Sequence, residues 1–406
     1  MKKNVLVGQS GGPTAVINAS LYGVITESQN HKEEIDTVYG MVNGIEGFLA
    51  DHYLDLSHTL GSRELELLKL TPAAYLGSCR FKLPEDLNSE VYKTLFRKLD
   101  ALNIGYFFYI GGNDSMDTVS KLSRYAAAVK SDIRVIGVPK TIDNDLVMTD
   151  HTPGFGSAAK YAASMVREIV LDASVYQQKS VTIIELMGRH AGWLTAASVL
   201  ARKHEQDNPL LIYLPESDFS LEQFAKDLES AFKKTPNVVV CVSEGISDAS
   251  GTFICEYSNE AQIDTFGHKM LTGCGKILEN FVRQQLHVKV RSVELNVCQR
   301  CSGMTVSAAD IEEASMAGSV GVREALLGAT GMMVSFVREP GKEYHLSCAL
   351  TDVNQVCNRE KTFPKEWITD HGTNISPEFL DYALPLIQGE PARIMENGLP
   401  VYLHRN

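Results

Sequence analysis

The stretch IGYFFYIGGNDS, residues 104–115, places an apolar run rich in β-forming residues directly before Gly-Gly-Asn-Asp-Ser. A second stretch, IRVIGVPKTIDND at 133–145, follows the same plan, with a lysine and two aspartates after the apolar run. Open parallel sheets bind their ligands beyond the carboxyl ends of the strands. Both stretches therefore predict strands that end at a crevice for an anionic substrate and a divalent metal, with a carboxylate that takes a proton. Such a combination is typical of phosphoryl transfer.

Short apolar runs alternate with longer amphipathic stretches along the chain, and this order predicts an α/β fold with mostly parallel sheets flanked by helices. A length of 406 residues exceeds what one hydrophobic core usually holds, so we expect two lobes. No low-complexity linker divides the chain, which indicates that it crosses between the lobes more than once. We predict strands at 4–7, 104–110, 133–138, 181–186, 209–214, 238–242, 288–293 and 332–337. We predict helices at about 13–28, 87–102, 114–130, 156–173, 190–203, 220–233, 267–286 and 308–328.

Composition and charge exclude several classes of protein. The chain has 50 acidic and 38 basic residues, a net charge of −12, which argues against a basic surface for nucleic acid. No apolar run reaches the roughly 18 residues of a membrane span, and the N-terminal apolar stretch is too short for a signal sequence. We therefore expect a cytoplasmic protein that binds neither nucleic acid nor membrane. The eight cysteines are interpreted as reduced thiols, and the Cys298-x-x-Cys301 pair leaves a metal or redox role as the alternative.

Glycine-rich turns follow two of the predicted strands. The turn Gly8–Pro13 resembles a phosphate-cradling loop at the start of a helix, with Pro13 in the first helical position; a tight turn without a ligand is the alternative. In the turn Gly111–Ser115 the glycines allow close backbone approach, and the polar residues offer oxygen atoms to Mg²⁺. A simple helix N-cap is the alternative there.

The segment Thr141-Ile142-Asp143-Asn144-Asp145 is the most specific signal in the sequence. If the chain stays extended after Pro139, Thr141, Asp143 and Asp145 fall on one face. One carboxylate can then accept the proton of an attacking hydroxyl, while the other orients a group or a metal. The alternative is a polar turn after a strand.

Later strand ends supply further candidates. Arg189, in the run Met187-Gly188-Arg189, is suited to bidentate recognition of a phosphate. Glu244 stands where it could bind a substrate hydroxyl, although a solvated loop carboxylate is the alternative. Arg291 and Arg300 flank a later strand and add two cations.

Taken in this order, these motifs resemble the phosphofructokinase family from Gly8 to at least Arg300. The resemblance implies two Rossmann-like lobes, a Mg²⁺-phosphate donor site and fructose 6-phosphate as the acceptor. It also implies a homodimer or homotetramer, because the family shares active-site arginines between subunits. We expect a donor-phosphate and Mg²⁺ lobe at 1–154 with about 299–350, and a sugar-phosphate lobe at 155–298 with about 351–406.

The resemblance also implies roles for individual residues. Asp143 is similar to the base that deprotonates the sugar 1-hydroxyl, and Lys140 and Arg189 to groups that stabilise the transferred phosphoryl. The residues that would bind the sugar phosphate are Thr141, Asp143, Asp145, Met187, Gly188, Arg189, Glu244, Arg291 and Arg300. The residues that would bind the donor phosphate are Gly12, Arg80, Asp114 and Lys140, and those that would bind the metal are Asn113 and Asp114.

Two positions indicate the donor. Asp114 and Lys140 stand where ATP-using relatives carry glycine, and the pair resembles the pyrophosphate-dependent branch of the family. Two longer side chains fill the space that a nucleotide would need, and we expect Asp114 to pair with Lys140 or to face Mg²⁺. Asn113 stands where the family usually has its metal-binding aspartate, and Lys179 and Ser180 stand where it has an arginine that reaches a neighbouring subunit.

The implied reaction is reversible phosphoryl transfer from Mg²⁺-pyrophosphate to fructose 6-phosphate, giving fructose 1,6-bisphosphate and phosphate. An ATP-dependent sugar-phosphate kinase is one alternative, and another acceptor such as a seven-carbon sugar phosphate is a second. A non-catalytic regulatory subunit is an alternative of another class, against which the intact Thr141–Asp145 segment argues. The sequence has no G-x-G-x-x-G followed by a ribose-binding acid, which disfavours a dinucleotide-dependent oxidoreductase.

Overall fold

The computed structural model describes residues 2–257, 273–341 and 343–405. The chain forms two compact units, the first from 1–157, 300–360 and 388–406 and the second from 158–299 and 361–387. The expected second lobe included all of 351–406, whereas in this division only 361–387 of that stretch joins the second unit. In the described part of the chain, no helix is both long and apolar enough to cross a membrane.

The longer strands of the described residues contain three to eight residues each. In chain order they are β1 Lys3–Gln9, β2 Ile35–Met41, β3 Tyr53–Asp55, β4 Ile104–Gly111, β5 Arg134–Pro139, β6 Ser180–Leu186, β7 Leu211–Tyr213, β8 Asn237–Ser243, β9 Lys289–Glu294, β10 Met332–Arg338 and β11 Leu346–Asp352. Four strands of two residues each follow: β12 Ile368–Thr369, β13 Asn374–Ile375, β14 Met395–Glu396 and β15 Leu399–Pro400.

The helices vary in length from one turn to five turns. They are α1 Ile17–Asn30, α2 Gly44–Leu49, α3 Leu56–Thr59, α4 Ser62–Leu70, α5 Glu90–Ala101, α6 Asn113–Ala128, α7 Phe155–Ala173, α8 Trp193–Ala196, α9 Leu221–Ala231, α10 Cys274–Leu286, α11 Cys298–Cys301, α12 Ala308–Leu326 and α13 Pro377–Ala383. Short 3-10 helices lie at Ala197–Ala201, Ile254–Tyr257, Val353–Gln355, Lys365–Trp367, Asp370–Gly372 and Leu384–Ile387.

The first unit is built on a seven-stranded sheet in the order β11-β10-β5-β4-β1-β2-β3. The strands from β10 to β2 run parallel, while β3 and β11 at the two edges pair antiparallel. Side chains of β4 alternate between two cores, so that Phe107 and Tyr109 join one and Phe108 and Ile110 the other. Apolar side chains on both faces require helices on both sides, as is usual for parallel sheets.

The second unit contains a parallel four-stranded sheet in the order β7-β8-β6-β9. Its strand β8 is buried along its whole length, which explains why NVVVCVS reads as a continuous apolar run. The predicted α/β fold class, with mostly parallel sheets flanked by helices, is therefore confirmed.

Several predicted elements have different limits. The first helix begins at Ile17 rather than at Pro13, because residues 10–16 form an irregular turn in which Gly11 has a φ of +74°. The helix predicted at 190–203 is a short α-helix, α8, continued by the 3-10 helix Ala197–Ala201. The helix predicted at 267–286 is found from Cys274, and residues 267–272 lie outside the described residues. Strands β2, β3 and β11 were not predicted.

Helices α1 and α12 pack with their backbones in close contact in the first unit. A Cβ atom added to Gly318 would lie 2.2 Å from the backbone oxygen of Ser20, and one added to Gly23 would lie 2.0 Å from that of Ser315. Neither distance can be relieved by a side-chain rotation. The two glycines therefore set the separation of this helix pair.

We expect Gly318→Ala to lower the free energy of unfolding by about 1–3 kcal/mol, because the helices must move apart to admit the methyl group. Gly321→Ala on the same helix is the matched control, since its Cβ would meet side-chain atoms at 3.5–3.6 Å, an ordinary contact distance. The control should be neutral or stabilising by up to about 1 kcal/mol, as alanine is the better helix former. Urea denaturation of both variants measures the difference, and equal stability would contradict the expectation.

Candidate active site

Three strand ends of the first unit meet at one edge of its sheet. The register pairs Gln9 of β1 with Ile110 of β4, and Gly111 of β4 with Pro139 of β5. The backbone N–H of Lys140 donates to the oxygen of Gly111 at 3.0 Å, which continues the pairing past the end of β5. A cavity of about 610 Å³ opens at this edge, lined by Gly11, Gly12, Gly112, Asn113, Asp114, Ser115, Lys140, Thr141, Asp143, Asp145, Asn358 and Glu360. We call it the donor pocket.

Lys140 forms the floor of the donor pocket. Its residue is 3% exposed, and its Nζ donates to the backbone oxygen of Gly12 at 2.7 Å. Burial lowers the pKa of Lys140 to about 8, although Asp143 and Asp145 partly offset this effect. A buried ammonium that uses one donor on a backbone carbonyl retains two further N–H donors for an anion.

Two carboxylates of the donor pocket have raised pKa values. Burial raises the pKa of Asp143 and the charge of Asp145 raises it further, while Lys140 opposes both effects. Burial also raises the pKa of Asp145, whose Oδ1 is buried and has no hydrogen-bond partner in the described part of the chain. A carboxyl group with a raised pKa beside a cation is suited to accept a proton near neutral pH.

The segment from Thr141 to Asp145 reaches the donor pocket by bending rather than by staying extended. Asn144 has a φ of +55°, and the backbone N–H of Asp143 donates to Thr141 Oγ1 at 3.0 Å. The expectation of an extended segment is therefore wrong, because β5 ends at Pro139 and the side chains turn back on their own backbone. Thr141, Asp143 and Asp145 nevertheless line the same pocket, as expected.

Buried polar contacts hold this bent segment in place. Thr152 donates through its hydroxyl to the oxygen of Thr141 at 2.9 Å and through its N–H to Asn144 Oδ1 at 3.1 Å. Just beyond, the buried His151 contacts Asp150 and Glu313 at 2.8 Å each. Burial lowers the pKa of His151, but the bonds to these two carboxylates outweigh burial and leave it raised.

A glycine turn and two arginines lie next to Lys140. Gly11, with its φ of +74°, lets the chain turn so that the oxygen of Gly12 faces Lys140. Arg300 lies beside this turn, with its Nη1 3.2 Å from the place that a Cβ on Gly12 would take. Positive charges of Arg300 and Arg80 contribute to the lowered pKa of Lys140, which places both in its electrostatic range.

The two predicted metal ligands have other partners. Asn113 Nδ2 donates to the backbone oxygen of Arg359, and Asn113 Oδ1 accepts from the N–H of Asn358 at 2.6 Å. Asp114 is exposed, and its side chain pairs with Lys82 at 3.8 Å and not with Lys140, so that of its two expected positions the one facing Mg²⁺ stays a prediction. The side chain of Asn113 thus holds a backbone segment, which leaves Asp114 as the exposed carboxylate of the predicted pair.

The donor set of the pocket fits a magnesium ion that is completed by phosphate oxygens. Among the described residues, no three His, Cys, Asp or Glu side chains lie close enough to hold a metal by themselves. Magnesium is usually bound by one or two carboxylates, water and substrate phosphates. The unpartnered Oδ1 of Asp145 is a carboxylate oxygen available for that purpose.

A second group of predicted residues lies at the carboxyl ends of β6 and β8 in the second unit. The N–H of Gly188 donates to Glu244 Oε1 at 3.4 Å, and the N–H of Glu244 donates to the oxygen of Leu186 at 2.9 Å. Met187 receives support from Gln299, whose Oε1 accepts its N–H at 3.3 Å. Gly188 has a φ of +134°, so a side chain there would be strained, and Arg189 follows at the turn. These residues form one cluster.

Arg291 does not join that cluster. It lies opposite Thr182, early in β6, and its guanidinium contacts Asp172 at 3.6 Å. Five residues of extended chain, about 16 Å, separate Thr182 from Met187. The predicted grouping of Arg291 with Met187, Gly188 and Arg189 is therefore not found within one chain.

Sequence reasoning missed two residues of the donor pocket, Asn358 and Glu360. They belong to the C-terminal part of the first unit and follow no motif. Their place depends on the bonds from Asn113, which stands 245 residues earlier than Asn358 in the chain. The polar run Cys357–Glu360 was the available signal, and nothing in it distinguishes it from an exposed loop.

Comparisons with known proteins agree with this geometry. Residues 4–323 match the family model described as phosphofructokinase. A pyrophosphate–fructose 6-phosphate 1-phosphotransferase of Rhodospirillum rubrum is 39% identical over 412 residues, covering 100% of both chains. The crystal structure of a pyrophosphate-dependent phosphofructokinase from Marinobacter aquaeolei has a TM-score of 0.89 at 37% identity, covering 98% of this chain and 95% of that one. That of Nitrosospira multiformis has a TM-score of 0.90 at 34% identity, covering 99% and 96%. The chain belongs to the phosphofructokinase family.

We expect Asp143→Asn to make the protein more stable at pH 8 by at least about 1 kcal/mol. The folded state raises the pKa of Asp143 above its unfolded value, so ionising this group costs stability once the pH exceeds the unfolded pKa near 4. Asparagine removes that cost. The gain should therefore shrink as the pH falls towards 4 and vanish below it, where the wild-type carboxyl is protonated in both states. Thermal unfolding at several pH values measures it. Asp132→Asn, at an exposed position, is the matched control and should show no such trend.

Proposed function

We propose that this enzyme transfers a phosphoryl group from pyrophosphate to the 1-hydroxyl of fructose 6-phosphate and gives fructose 1,6-bisphosphate and phosphate, reversibly. The observation that carries the proposal is the buried Lys140 beside the proton-accepting Asp143 in one pocket. Full-length relatives named for this reaction support it. They favour neither an ATP-dependent kinase nor a non-catalytic subunit.

In the proposed chemistry, the 1-hydroxyl oxygen attacks the transferred phosphorus as the bond to the bridging oxygen of pyrophosphate breaks. Asp143 accepts the hydroxyl proton, and the leaving phosphate departs with the electron pair of the broken bond. Lys140 donates N–H groups to phosphate oxygens as negative charge shifts between them. Thr141, whose hydroxyl lies 3.5 Å from Asp143 Oδ2, orients that carboxylate.

Pyrophosphate is assigned as the donor because of the residues that line the pocket. Lys140 and Asp114 occupy two of its positions with charged side chains, one at the floor and one at the exposed edge. The predicted donor contacts of Gly12 and Arg80 fit the glycine turn and its positive surroundings. Space that a nucleoside would need is thus partly filled, while a compact anion reaches Lys140.

Sugar phosphate is assigned to Met187, Gly188, Arg189 and Glu244 in the second unit. Glu244 is held by the N–H of Gly188 and can accept from a sugar hydroxyl, and Arg189 can bind a phosphate. We propose that Arg291, which stands apart from this cluster, serves the site of another subunit in a homodimer or homotetramer. The contact of Arg300 with the 6-phosphate stays a prediction, as does a cytoplasmic location.

We propose Mg²⁺ as the cofactor, held by the Oδ1 of Asp145 together with oxygens of the donor. When bound, the ion neutralises charge on those phosphate oxygens. The role of Asn113 as a metal ligand stays a prediction, since its amide also bonds the backbone of residues 358 and 359.

The donor is tested by measuring fructose 1,6-bisphosphate formation from fructose 6-phosphate and Mg²⁺, with pyrophosphate or ATP supplied in parallel. We expect turnover with pyrophosphate and none above background with ATP. Turnover with ATP alone would contradict the assignment of Lys140 and Asp114. Inactivity with both donors would point to another acceptor or to a regulatory subunit.

Asp143→Asn should lower kcat with pyrophosphate by about 10²–10⁴-fold, because the amide cannot accept the hydroxyl proton. The variant is expected to be at least as stable as the wild type at the assay pH, so unfolding would not explain the loss. Asp132→Asn serves again as the control with unchanged kcat. Wild-type turnover in Asp143→Asn would remove this residue from the role of base.

A further inference from the structure

The donor pocket has a basic floor and an acidic rim. Lys140 at the floor is 3% exposed, whereas the Asp114 side chain at the rim is 83% exposed. Glu360 also lines the pocket and is exposed. An anion that enters therefore passes these two carboxylates, with Lys82 beside Asp114, before it reaches Lys140.

The rim is positioned by Asn113. This side chain makes two bonds to one backbone segment: its Nδ2 donates to the oxygen of Arg359, and its Oδ1 accepts from the N–H of Asn358 at 2.6 Å. Asn358 itself has a φ of +61° and donates through Nδ2 to Asp117 Oδ1 at 3.4 Å. Because the two bonds to Asn113 are directional, they fix the orientation of the segment as well as its distance. Asn358 and Glu360 line the pocket as a result.

The two carboxylates at the rim differ in their partners. Asp114 is partly neutralised by Lys82 at 3.8 Å, but no cation pairs with Glu360 within the residues that the structure describes. The carboxylate of Glu360 lines the same pocket as Asp145, and like charges in one pocket repel each other. A second negative charge brought to the rim would experience the same repulsion.

We propose that Glu360, positioned by Asn113, limits the length of the phosphate donor. This inference rests on the proposed function of the donor pocket. Pyrophosphate places its two phosphates over Lys140, within the pocket. A donor with a third phosphate extends its charge to the rim, where Glu360 repels it. Glu360 is thus a specificity-determining residue that disfavours polyphosphates and nucleoside triphosphates, and Asn113 is its positioning residue.

The test compares kcat/KM for pyrophosphate and for tripolyphosphate, both with Mg²⁺ and fructose 6-phosphate. Glu360→Gln should raise the ratio of tripolyphosphate to pyrophosphate by about 5-fold or more, because it removes one charge and keeps the shape. Asn113→Ala should shift the ratio in the same direction by releasing the segment. Asn354→Ala is the matched control: its amide contacts Asp352 and Ser120 outside the pocket, so the ratio should not change. The effect should weaken at high salt, which screens exposed charges.

An unchanged ratio in Glu360→Gln, with wild-type activity on pyrophosphate, overturns this inference and leaves the proposed function intact. A wild-type enzyme without activity on pyrophosphate overturns the proposed function instead. In that case the proposed role of Glu360 is tested by ligand binding instead of turnover. The measurement is the rise in melting temperature that Mg²⁺-pyrophosphate and Mg²⁺-tripolyphosphate each produce. Equal preference for the two ligands in the wild type and in Glu360→Gln would then overturn the inference as well.

Discussion

The register between β4 and β5 is the constraint on which the donor pocket depends. Gly111 pairs with Pro139, and the N–H of Lys140 continues the ladder by donating to the oxygen of Gly111. This pairing puts the glycine turn of one strand beside the lysine and aspartates of the next. A shift by one residue would send the Lys140 side chain to the opposite face. Two apolar cores, one on each side of β4, oppose such a shift because it would exchange their side chains.

A buried lysine and two carboxylates with raised pKa values cost stability, and the surrounding structure compensates for them. The bent segment after β5 is held by Thr152 and Asn144 on its inner side. Asp310 accepts the N–H groups of Gly154 and Ser157 and so fixes the start of α7 directly afterwards. Buried hydrogen bonds therefore hold the chain on both sides of the two carboxylates. Their preorganisation is therefore a property of the scaffold, and this is where electrostatic catalysis obtains its advantage over water.

The local sequence predicted the central strands and the residues that follow them. It failed for elements whose position depends on contacts with residues far away in the chain. The strands β4 and β5 and the residues after them were predictable, because apolar runs and chemistry-bearing residues lie next to each other in the chain. The predicted start of α1 was wrong. The backbone oxygen of Gly12 accepts a hydrogen bond from Lys140, and residues 10–16 form a turn at the pocket instead of the first turn of the helix. Strand β11 was missed since it is a partly exposed antiparallel edge, without a continuous apolar run. The bonds of Asn113 to residues 358 and 359 could not be predicted, because those residues lie far away along the chain.

The proposed catalytic residues and the proposed specificity-determining residue differ in how well the local sequence predicts them. Lys140 and Asp143 follow the end of a strand whose backbone pairing fixes their position. Both belong to one short motif, which makes them recognisable in the sequence. Glu360 is positioned by the bonds of Asn113 to residues 358 and 359, which lie far away in the chain. Such a long-range contact produces neither a periodic pattern nor a motif in the sequence. A carboxylate at the rim repels negative charge on the donor over several ångströms. Its effect on donor specificity therefore depends on its charge and approximate position rather than on exact contact geometry. Substitutions at the rim can therefore change the choice of donor while Lys140 and Asp143 remain in place.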